Sequence, residues 1–391
     1  MIYLDHAATT AMRPAARDAW LAVAGQVGNS SSVHSAGRGA RRIVEDSREQ
    51  IAEDLAIEPD RVVITSGGTE SDNLAVVGGY RARNEADPRR TVIVLSRIEH
   101  KAVLEPAEQL TTSGAELEWL DVDQIGRVSV EQLREILIRR GGEVALVAVM
   151  WANNEVGSVQ DIGELTEVCR EFDVPLHTDA VQALGNIPIA GDVSSTMALS
   201  AHKVGGPSGF GLLLVDPQTA VQPLVRGGGQ EAGLRAGSLD VAGAAAAAAA
   251  IHEAVTQQAE HSARMSGLRD QLLRGITQQA QGSSQPFEFS LNSTEAGLPG
   301  LVSVSFPGCD GDALMMLLDE AGISVSTGSA CNVGIPKPSY ILTAMGAPHT
   351  SNTIRISFGW SSGSGDIAAL LAALPRAVAG AAEARNAVGS A

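Results

Sequence analysis

The sequence predicts an α/β fold in which a mostly parallel sheet is covered by helices on both faces. Short, continuously apolar runs alternate with helix-length segments through the first two-thirds of the 391-residue chain. Unbroken apolar runs are typical of strands that are buried on both faces, because neither face meets water. The alternation of strand and helix favours parallel neighbours, since each helix carries the chain back to the edge where the previous strand began.

Six runs are predicted to be buried strands, at residues 61–65, 91–95, 144–149, 175–178, 196–200 and 210–215. Helix-length segments separate several of these strands, at residues 70–83, 101–111 and 162–172. A long alanine-rich stretch over 241–279 follows, and alanine permits helices to pack closely.

The last third of the chain predicts a second, smaller α/β domain. A strand at 301–306 and a helix at 310–320 are followed by short strands at 323–326 and 353–358, a βαβ-like order. We expect a large domain over 13–258. The small domain would comprise 1–12 and 259–391, with the N-terminal residues folding back onto it.

Composition narrows the class of protein. Hydrophobic residues make up 44% and charged residues 19%, which is typical of globular chains. The net charge of −17 argues against a surface for nucleic acid or anionic membrane, because both need basic patches. The N-terminus has no basic region followed by an apolar stretch, and the alanine run 244–250 is too short to span a bilayer. We therefore expect a soluble cytoplasmic protein.

The first chemical motif follows the strand that ends at Thr65. Residues 66–73 (SGGTESDN) place two glycines and Thr69 where a helix begins. Free amides and a hydroxyl at a helix N-terminus bind anions, most often phosphate. The alternative is a plain tight turn with Thr69 as the helix cap.

A second motif lies just past the strand near 175–178. Asp179 could hold a protonated ring nitrogen, and Gln182 could donate to a phenolic oxygen. The alternative is that Asp179 only caps a helix.

A third motif places Lys203 at the end of the strand 196–200, in a bend rich in glycine and proline. A lysine held among small residues can form a Schiff base, because desolvation lowers the pKa of its amine. Ser200 and His202 flank it as further phosphate donors. A phosphate cup, an acid for a ring nitrogen and such a lysine together indicate pyridoxal phosphate better than any one of them.

Cysteine usage adds a nucleophile. The chain has three cysteines, Cys169, Cys309 and Cys331, and an odd number suits a reducing compartment better than a disulfide framework. Cys331 ends the small-residue segment STGSAC at 326–331, whereas Cys169 and Cys309 are expected to be buried. A free cysteine is usually a small buried hydrophobe, and a thiolate is a strong nucleophile. No cluster of histidine and cysteine has metal-ligand spacing, so no metal is expected.

Motifs along nearly the whole chain resemble those of the cysteine desulfurases, in the housekeeping group of the fold-type-I pyridoxal-phosphate-dependent transferases. They lie at residues 3–10 (YLDHAATT), 28–34 (GNSSSVH), 66–73, 98–100 (IEH), 151–157 (WANNEVG), 227–231 (GGGQE) and 326–331, and around Asp179 and Lys203. The resemblance implies a large domain with a seven-stranded, mostly parallel sheet and a smaller α/β domain that carries the catalytic cysteine.

The resemblance also implies the roles of individual residues toward the cofactor. Lys203 would form the Schiff base, Asp179 would pair with the ring nitrogen, and Gln182 would contact the ring hydroxyl. His100 would stack on the ring and move protons at the substrate. The phosphate would be held by Gly68, Thr69, Ser200 and His202.

For the substrate, the resemblance implies that Asn154 and Arg355 grip the carboxylate of L-cysteine. The Cys331 thiolate would attack the substrate sulfur, leaving a persulfide on the enzyme and releasing alanine. The STGSAC form places the chain with enzymes whose long loop carries the persulfide to an acceptor. Such acceptors are iron–sulfur scaffold proteins or other sulfur carriers, and the destinations are clusters and thiolated tRNA.

Residues 235–238 (RAGS) depart from the family's Arg-Ser-Gly-Thr, whose threonine reaches the phosphate bound by the neighbouring subunit of a homodimer. Ser238 keeps a hydroxyl and is expected to take that role. Two alternatives stay open: a related pyridoxal-phosphate lyase or aminotransferase in which Cys331 is incidental, and a sulfur-relay or scaffold protein without catalysis. The products formed from L-cysteine distinguish the first alternative from a cysteine desulfurase. A failure to bind pyridoxal phosphate would favour the second alternative.

Overall fold

The computed structural model describes residues 1–282, 286–327 and 338–389. Its strands are β1 (Ile2–Tyr3), β2 (Val62–Thr65), β3 (Val92–Ser96), β4 (Glu116–Leu120), β5 (Val144–Ala148), β6 (Leu176–Asp179), β7 (Thr196–Ser200), β8 (Gly211–Val215), β9 (Ser290–Leu291), β10 (Leu301–Ser305), β11 (Ile323–Ser324) and β12 (Thr353–Ser357).

The α-helices are α1 (Pro14–Ala24), α2 (Ser35–Asp54), α3 (Gly68–Asn73), α4 (Gly79–Ala86), α5 (Lys101–Leu110), α6 (Val130–Arg140), α7 (Ile162–Glu171), α8 (Val241–Thr256), α9 (Gln258–Gly282), α10 (Gly311–Glu320), α11 (Tyr340–Ala344) and α12 (Ser364–Gly389). A π-helical turn, Leu74–Gly78, joins α3 to α4 without a break.

The large sheet has seven strands in the order β2-β8-β7-β6-β5-β3-β4. Strands β3 to β7 are parallel to their neighbours within this set, and β8 runs antiparallel between β7 and β2. The predicted, mostly parallel sheet is therefore confirmed. The sequence did not predict β4, because polar residues alternate with apolar ones there and the strand is a partly exposed edge.

The small sheet differs from its prediction in how its strands pair. The order of strand and helix is as predicted, yet β10 pairs antiparallel with both β12 and β9. The strand that follows α10 is β11, and it pairs in parallel with β1 instead of β10. The predicted βαβ unit is thus wrong, because β11 forms its parallel pair with the N-terminal strand β1 and not with β10. The predicted return of the N-terminal residues is confirmed.

Among the apolar clusters that the described residues form, the two largest each accompany one of the two sheets. The alanine-rich stretch is two helices, since α8 ends at Thr256, and α8 packs against α1 and α2 beneath the large sheet. The second core surrounds the small sheet and includes Leu4, residues of α9 and residues of α12. Among the described residues, α12 has the length and apolar composition to cross a membrane, and several of its side chains pack into this second core.

Candidate active site

A cavity of about 300 Å³ opens at the carboxyl edge of the large sheet. In open α/β sheets this edge is where ligands bind, because the loops that follow parallel strands converge there. The cavity brings together every predicted site residue except Cys331 and Ser238: Gly68, Thr69, His100, Asn154, Asp179, Gln182, Ser200, His202, Lys203 and Arg355. Residues separated by up to 287 positions in the chain thus line one site.

Asp179 is the last residue of β6 and is 5% exposed. One of its carboxylate oxygens, Oδ1, accepts a hydrogen bond of 2.9 Å from the backbone amide of Val181. Burial raises the pKa of Asp179 to about 7, with a further rise from Asp72 and opposing effects from His100 and His177. A buried acid of this kind is stabilised as an anion by a cation placed against it.

Lys203 ends a short 3₁₀ turn that follows β7. Its Nζ donates to the carbonyl oxygens of Ala7 at 2.6 Å and Ala8 at 2.8 Å. The amide of Gln182 donates to the same Ala7 oxygen at 2.8 Å. The N-terminal residues therefore complete the cavity, and they hold the lysine amine inside it.

His100 caps the N-terminus of α5, and its Nδ1 accepts from the amide of Ala102 at 3.1 Å. Burial lowers the pKa of His100, Lys203 and Lys101 lower it further, and Asp179 opposes them. The ring is thus favoured in its neutral form, with the remaining proton on Nε2.

His202 binds Thr9 through Nδ1 and the threonine hydroxyl at 3.0 Å. Burial lowers the pKa of His202 to about 4, and the charge of Lys203 adds to the effect. A neutral imidazole beside Ser200 leaves a hydrogen-bonding ring nitrogen available to an anion in the cavity.

The cup at the start of α3 explains why glycine stands at position 68. A Cβ atom there would lie 2.7 Å from Cγ2 of Val181, inside van der Waals contact. Glu70, which the sequence analysis did not single out, accepts from the amide of Ser66 at 2.6 Å and from Nε of Arg235 at 3.0 Å. This ion pair joins the turn before α3 to the segment that carries Ser238.

Arg355 enters the cavity from β12 of the small sheet and is 4% exposed. Its guanidinium donates to the backbone oxygen of Asn154 at 2.8 Å and to the carboxylate of Asp5 at 2.6 Å. Among the described residues, Nε of Arg355 and Oδ1 of Asn154 are buried without a hydrogen-bond partner. Since Arg355 and Asn154 both line the cavity, these two atoms can form hydrogen bonds with a ligand that enters it.

Two buried side chains at the cavity, Asp72 and its partner His177, were not singled out by sequence analysis. Oδ1 of Asp72 lies 3.1 Å from Nε2 of His177, and Nδ1 of His177 lies 3.0 Å from Oγ1 of Thr196. One signal could have found them: His177 precedes Asp179 by two residues, which puts both on one face of a strand. Potential ligand atoms of Asp72, His100 and Asp179 lie within 4.8 Å of one another. This grouping, which the chain spacing did not indicate, is part of the wall of the same cavity.

Ser238 is exposed and is not among the residues that line the cavity. Cys331 lies outside the described residues. The residues that flank 328–337 are anchored beside the cavity. Ser326 exchanges two backbone hydrogen bonds with Arg355, at 2.6 and 3.1 Å. Downstream, the Ser339 hydroxyl donates to Glu155 at 2.7 Å, and the Tyr340 hydroxyl donates to the backbone oxygen of Glu99 at 2.7 Å.

The other two cysteines are buried, as predicted. Burial raises the pKa of Cys169 to about 12 and also raises that of Cys309. Neither thiol is prepared to act as a thiolate nucleophile at neutral pH.

Comparison with known proteins matches residues 2–370 to the aminotransferase class-V family. An IscS-like cysteine desulfurase of Mycobacterium tuberculosis is 46% identical over 386 residues, which is 97% of this chain and 96% of that protein. The solved structure of a NifS-like protein is 31% identical with a TM-score of 0.87, covering 97% of this chain and 99% of that one.

A second solved structure, SspA in complex with cysteine, is 30% identical with a TM-score of 0.76 and covers 92% of this chain and 99% of its own. The likeness thus extends over both sheets and over every segment that lines the cavity. The chain belongs to the aminotransferase class-V family and, within it, to the IscS- and NifS-like cysteine desulfurases.

Proposed function

We propose that the protein is a pyridoxal-phosphate-dependent cysteine desulfurase that converts L-cysteine to L-alanine and transfers the sulfur to Cys331. The observation that carries this proposal is the convergence of Lys203, Asp179 and Arg355 on one cavity. Relatives across the length of the chain are named cysteine desulfurases, and one solved neighbour holds cysteine.

The residues of the cavity fit pyridoxal phosphate. Asp179 offers a buried carboxylate to the ring nitrogen, and Gln182 offers an amide to the ring hydroxyl. The start of α3 would hold the phosphate together with Ser200 and His202, which line the same cavity as Gly68 and Thr69. When bound, the cofactor supplies an electron sink for the bonds at the substrate's α-carbon.

Lys203 would hold the cofactor covalently through Nζ until the amino group of L-cysteine displaces it, and its freed amine would then take the proton from the α-carbon of the substrate. The backbone oxygens of Ala7 and Ala8 orient this amine. His100, with a lowered pKa, would act as the neutral group that moves a proton at the substrate.

Arg355 and Asn154 would bind the carboxylate of L-cysteine, which supplies the partner that Nε of Arg355 lacks. A guanidinium suits a carboxylate because its donors match the two oxygens. Asp5 holds the guanidinium in place from the opposite side.

Cys331 would accept the sulfur. Its thiolate attacks the sulfur of the substrate, the carbon–sulfur bond breaks, and a sulfur–sulfur bond forms on the enzyme while alanine leaves. The anchoring of Ser326 and Ser339 beside the cavity supports this role, because both residues border the segment that contains Cys331.

The remaining features belong to the same proposal. We expect a large domain over 13–258 and a small one made of 1–12 and 259–391, and the sheets support this division because the strands of each sheet fall within one of these domains. We expect a soluble, cytoplasmic homodimer in which Ser238 binds the phosphate held by the partner subunit. It would pass sulfur to an iron–sulfur scaffold or another acceptor protein, with thiolated tRNA as a further destination and without binding nucleic acid or membrane itself.

The test is the reaction of the purified enzyme with L-cysteine in the absence of added thiol. We expect stoichiometric alanine and a persulfide on Cys331, detected by mass spectrometry of the labelled peptide. Cys331→Ala should abolish the persulfide, with Cys169→Ala as the control that retains it. Sulfide release by Cys331→Ala at the wild-type rate would contradict the proposal, and amino-group transfer to an oxo acid would favour an aminotransferase.

A further inference from the structure

A chain of buried polar side chains lies directly behind Asp179. Thr196, His177 and Asp72 are linked by contacts of 3.0 and 3.1 Å, and each is at most 3% exposed. His177 and Asp72 come from different elements, β6 and α3. Asp72 also lines the cavity beside Asp179. The chain thus connects the core of the large sheet to the acid that faces the cofactor's ring nitrogen.

Two carboxyl groups this close in a dry environment do not both ionise, because each charge raises the cost of the other. Burial raises the pKa of Asp72 well above its ordinary value. Burial also lowers the pKa of His177 to about 4. Asp72 and His177 therefore form a neutral pair in which Oδ1 of Asp72 donates its proton to Nε2, and the proton of the ring lies on Nδ1, which donates to Oγ1 of Thr196.

The neighbours of Asp179 leave His177 as the acceptor suited to the proton of Asp72. His100 faces the cavity with Nδ1 occupied by the amide of Ala102. Glu99 is buried and accepts from the amide of Met150. Lys203 is directed to the carbonyl oxygens of Ala7 and Ala8. Without His177, the proton of Asp72 has an acceptor in Asp179, whose carboxylate oxygen lies within 4.8 Å, and Oε2 of Glu99 is a second buried acceptor without a partner among the described residues.

We propose that His177 is a positioning residue that keeps the proton of Asp72 away from Asp179, so that Asp179 stays ionised against the protonated ring nitrogen of pyridoxal phosphate. This inference rests on the proposed function, because it concerns how that cofactor is held. His177 would act through Asp72 without touching the cofactor.

The test compares two variants of similar size. In His177→Asn, the amide takes the place of Nδ1 and keeps the contact with Thr196 but cannot reach Asp72. In His177→Gln, the longer amide takes the place of Nε2 and keeps the contact with Asp72. The readouts are the nitrogen NMR shift of isotope-labelled pyridoxal phosphate, which reports protonation of the ring nitrogen, and the Kd of the cofactor.

We expect a protonated ring nitrogen in the wild type and in His177→Gln. In His177→Asn it should be partly deprotonated, with Kd raised about tenfold. The double variant Asp72→Asn/His177→Asn should restore the wild-type shift, because its amide has no acidic proton to give Asp179. Such rescue would not follow if His177 only stabilised the fold.

An unchanged nitrogen shift and Kd in a folded His177→Asn would overturn the inference, as would a double variant no better than the single one. Should His177→Asn not fold, Asp72→Asn alone decides. It must keep the ring nitrogen protonated, and deprotonation there would show that the acid itself is needed. Wild-type protein that binds no pyridoxal phosphate would instead refute the proposed function.

Discussion

The two walls of the cavity are held by different parts of the fold. The wall formed by Asp179, Ser200 and Lys203 follows two adjacent strands of the seven-stranded sheet, and their backbones are fixed by hydrogen bonds on both sides. The opposite wall carries Arg355, which belongs to the small sheet and is linked to Ser326. Arg355, expected to hold the substrate, thus belongs to the small sheet, whereas Asn154 and the groups expected to hold the cofactor end or follow strands of the large sheet.

The difference teaches that cofactor binding and substrate binding can be altered independently. If the separation holds, substitutions in the sheet wall change the cofactor's affinity or spectrum, while substitutions in the small-sheet wall change the affinity for L-cysteine. Each of the following experiments has an outcome that would contradict this expectation.

The largest effect is expected for Lys203→Ala. Loss of the amine removes both the covalent link and the base, so desulfuration should fall by about a thousandfold or more. The visible absorbance of the bound cofactor should change as well. Lys101→Ala is the control for the loss of a positive charge near His100, since Lys101 also lowers the pKa of His100 but does not line the cavity. Near-normal turnover in Lys203→Ala would show that Lys203 is neither the covalent link nor the base of the reaction.

Arg355→Lys should raise the KM for L-cysteine by about ten- to hundredfold, because a charge-assisted contact is lost or weakened. The Kd of pyridoxal phosphate should stay unchanged. Steady-state kinetics and a cofactor titration measure the two quantities. Arg264→Lys, whose guanidinium binds the backbone oxygens of Trp360 and Ser362, serves as the control. An equal loss of cofactor affinity would show that the walls are not independent.

Asp179→Asn should alter how stability depends on pH in the protein freed of cofactor. The pKa of Asp179 is raised from 3.8 to about 7 in the folded protein, so the native state binds the extra proton between these values. The acid therefore makes the wild type less stable as pH rises through this interval, by about 1.4 kcal/mol per pH unit relative to Asp179→Asn. Denaturant unfolding across the interval measures the difference.

Bound pyridoxal phosphate should reduce this difference, because its protonated nitrogen compensates the buried charge. A constant gap between wild type and Asp179→Asn at all pH values would contradict the raised pKa. The experiment sharpens the comparison of the two walls, since it measures how much the buried charge of Asp179 lowers the stability of the protein without cofactor.

The smallest effect is expected for Ser339→Ala. Ser339 caps α11 and also donates to Glu155, whereas Ser129 caps α6 away from the cavity with the same contact of 3.2 Å to a backbone amide. Both alanine variants should lose about 1 kcal/mol of stability. Only Ser339→Ala should also slow persulfide formation, by a few-fold, because it loosens the residue that borders the Cys331 segment. Equal rates in the two variants would argue against that anchoring.

Sequence reasoning located the groups that stand at strand ends. Asp179 and Lys203 were accessible because an apolar run identifies a strand, and the carboxyl end of a parallel strand identifies the ligand edge. Arg355 required the family resemblance, since nothing in the pattern around 353–358 distinguishes a cavity arginine from a paired one. The predicted roles of these residues stay predictions until the variants are measured.

Other features depend on pairings that no local pattern contains. Asp72 and His177 are 105 positions apart, and their contact exists only after α3 has packed against β6. The pairing of β1 with β11 joins residues more than 300 positions apart and displaces the βαβ unit that the order of strand and helix favours. Local periodicity predicts helices and strands, whereas the pairing of distant residues and strands depends on how the whole chain folds.

The N-terminal residues have a consequence for the order in which the enzyme matures. Ala7 and Ala8 hold Lys203 and Gln182, yet β1 has no partner until the ribosome has made β11. Asp5 likewise waits for Arg355. A nascent chain that already contains the whole large sheet still lacks one side of its cofactor cavity. Tight uptake of pyridoxal phosphate would then mark a chain that has been synthesised at least as far as Arg355.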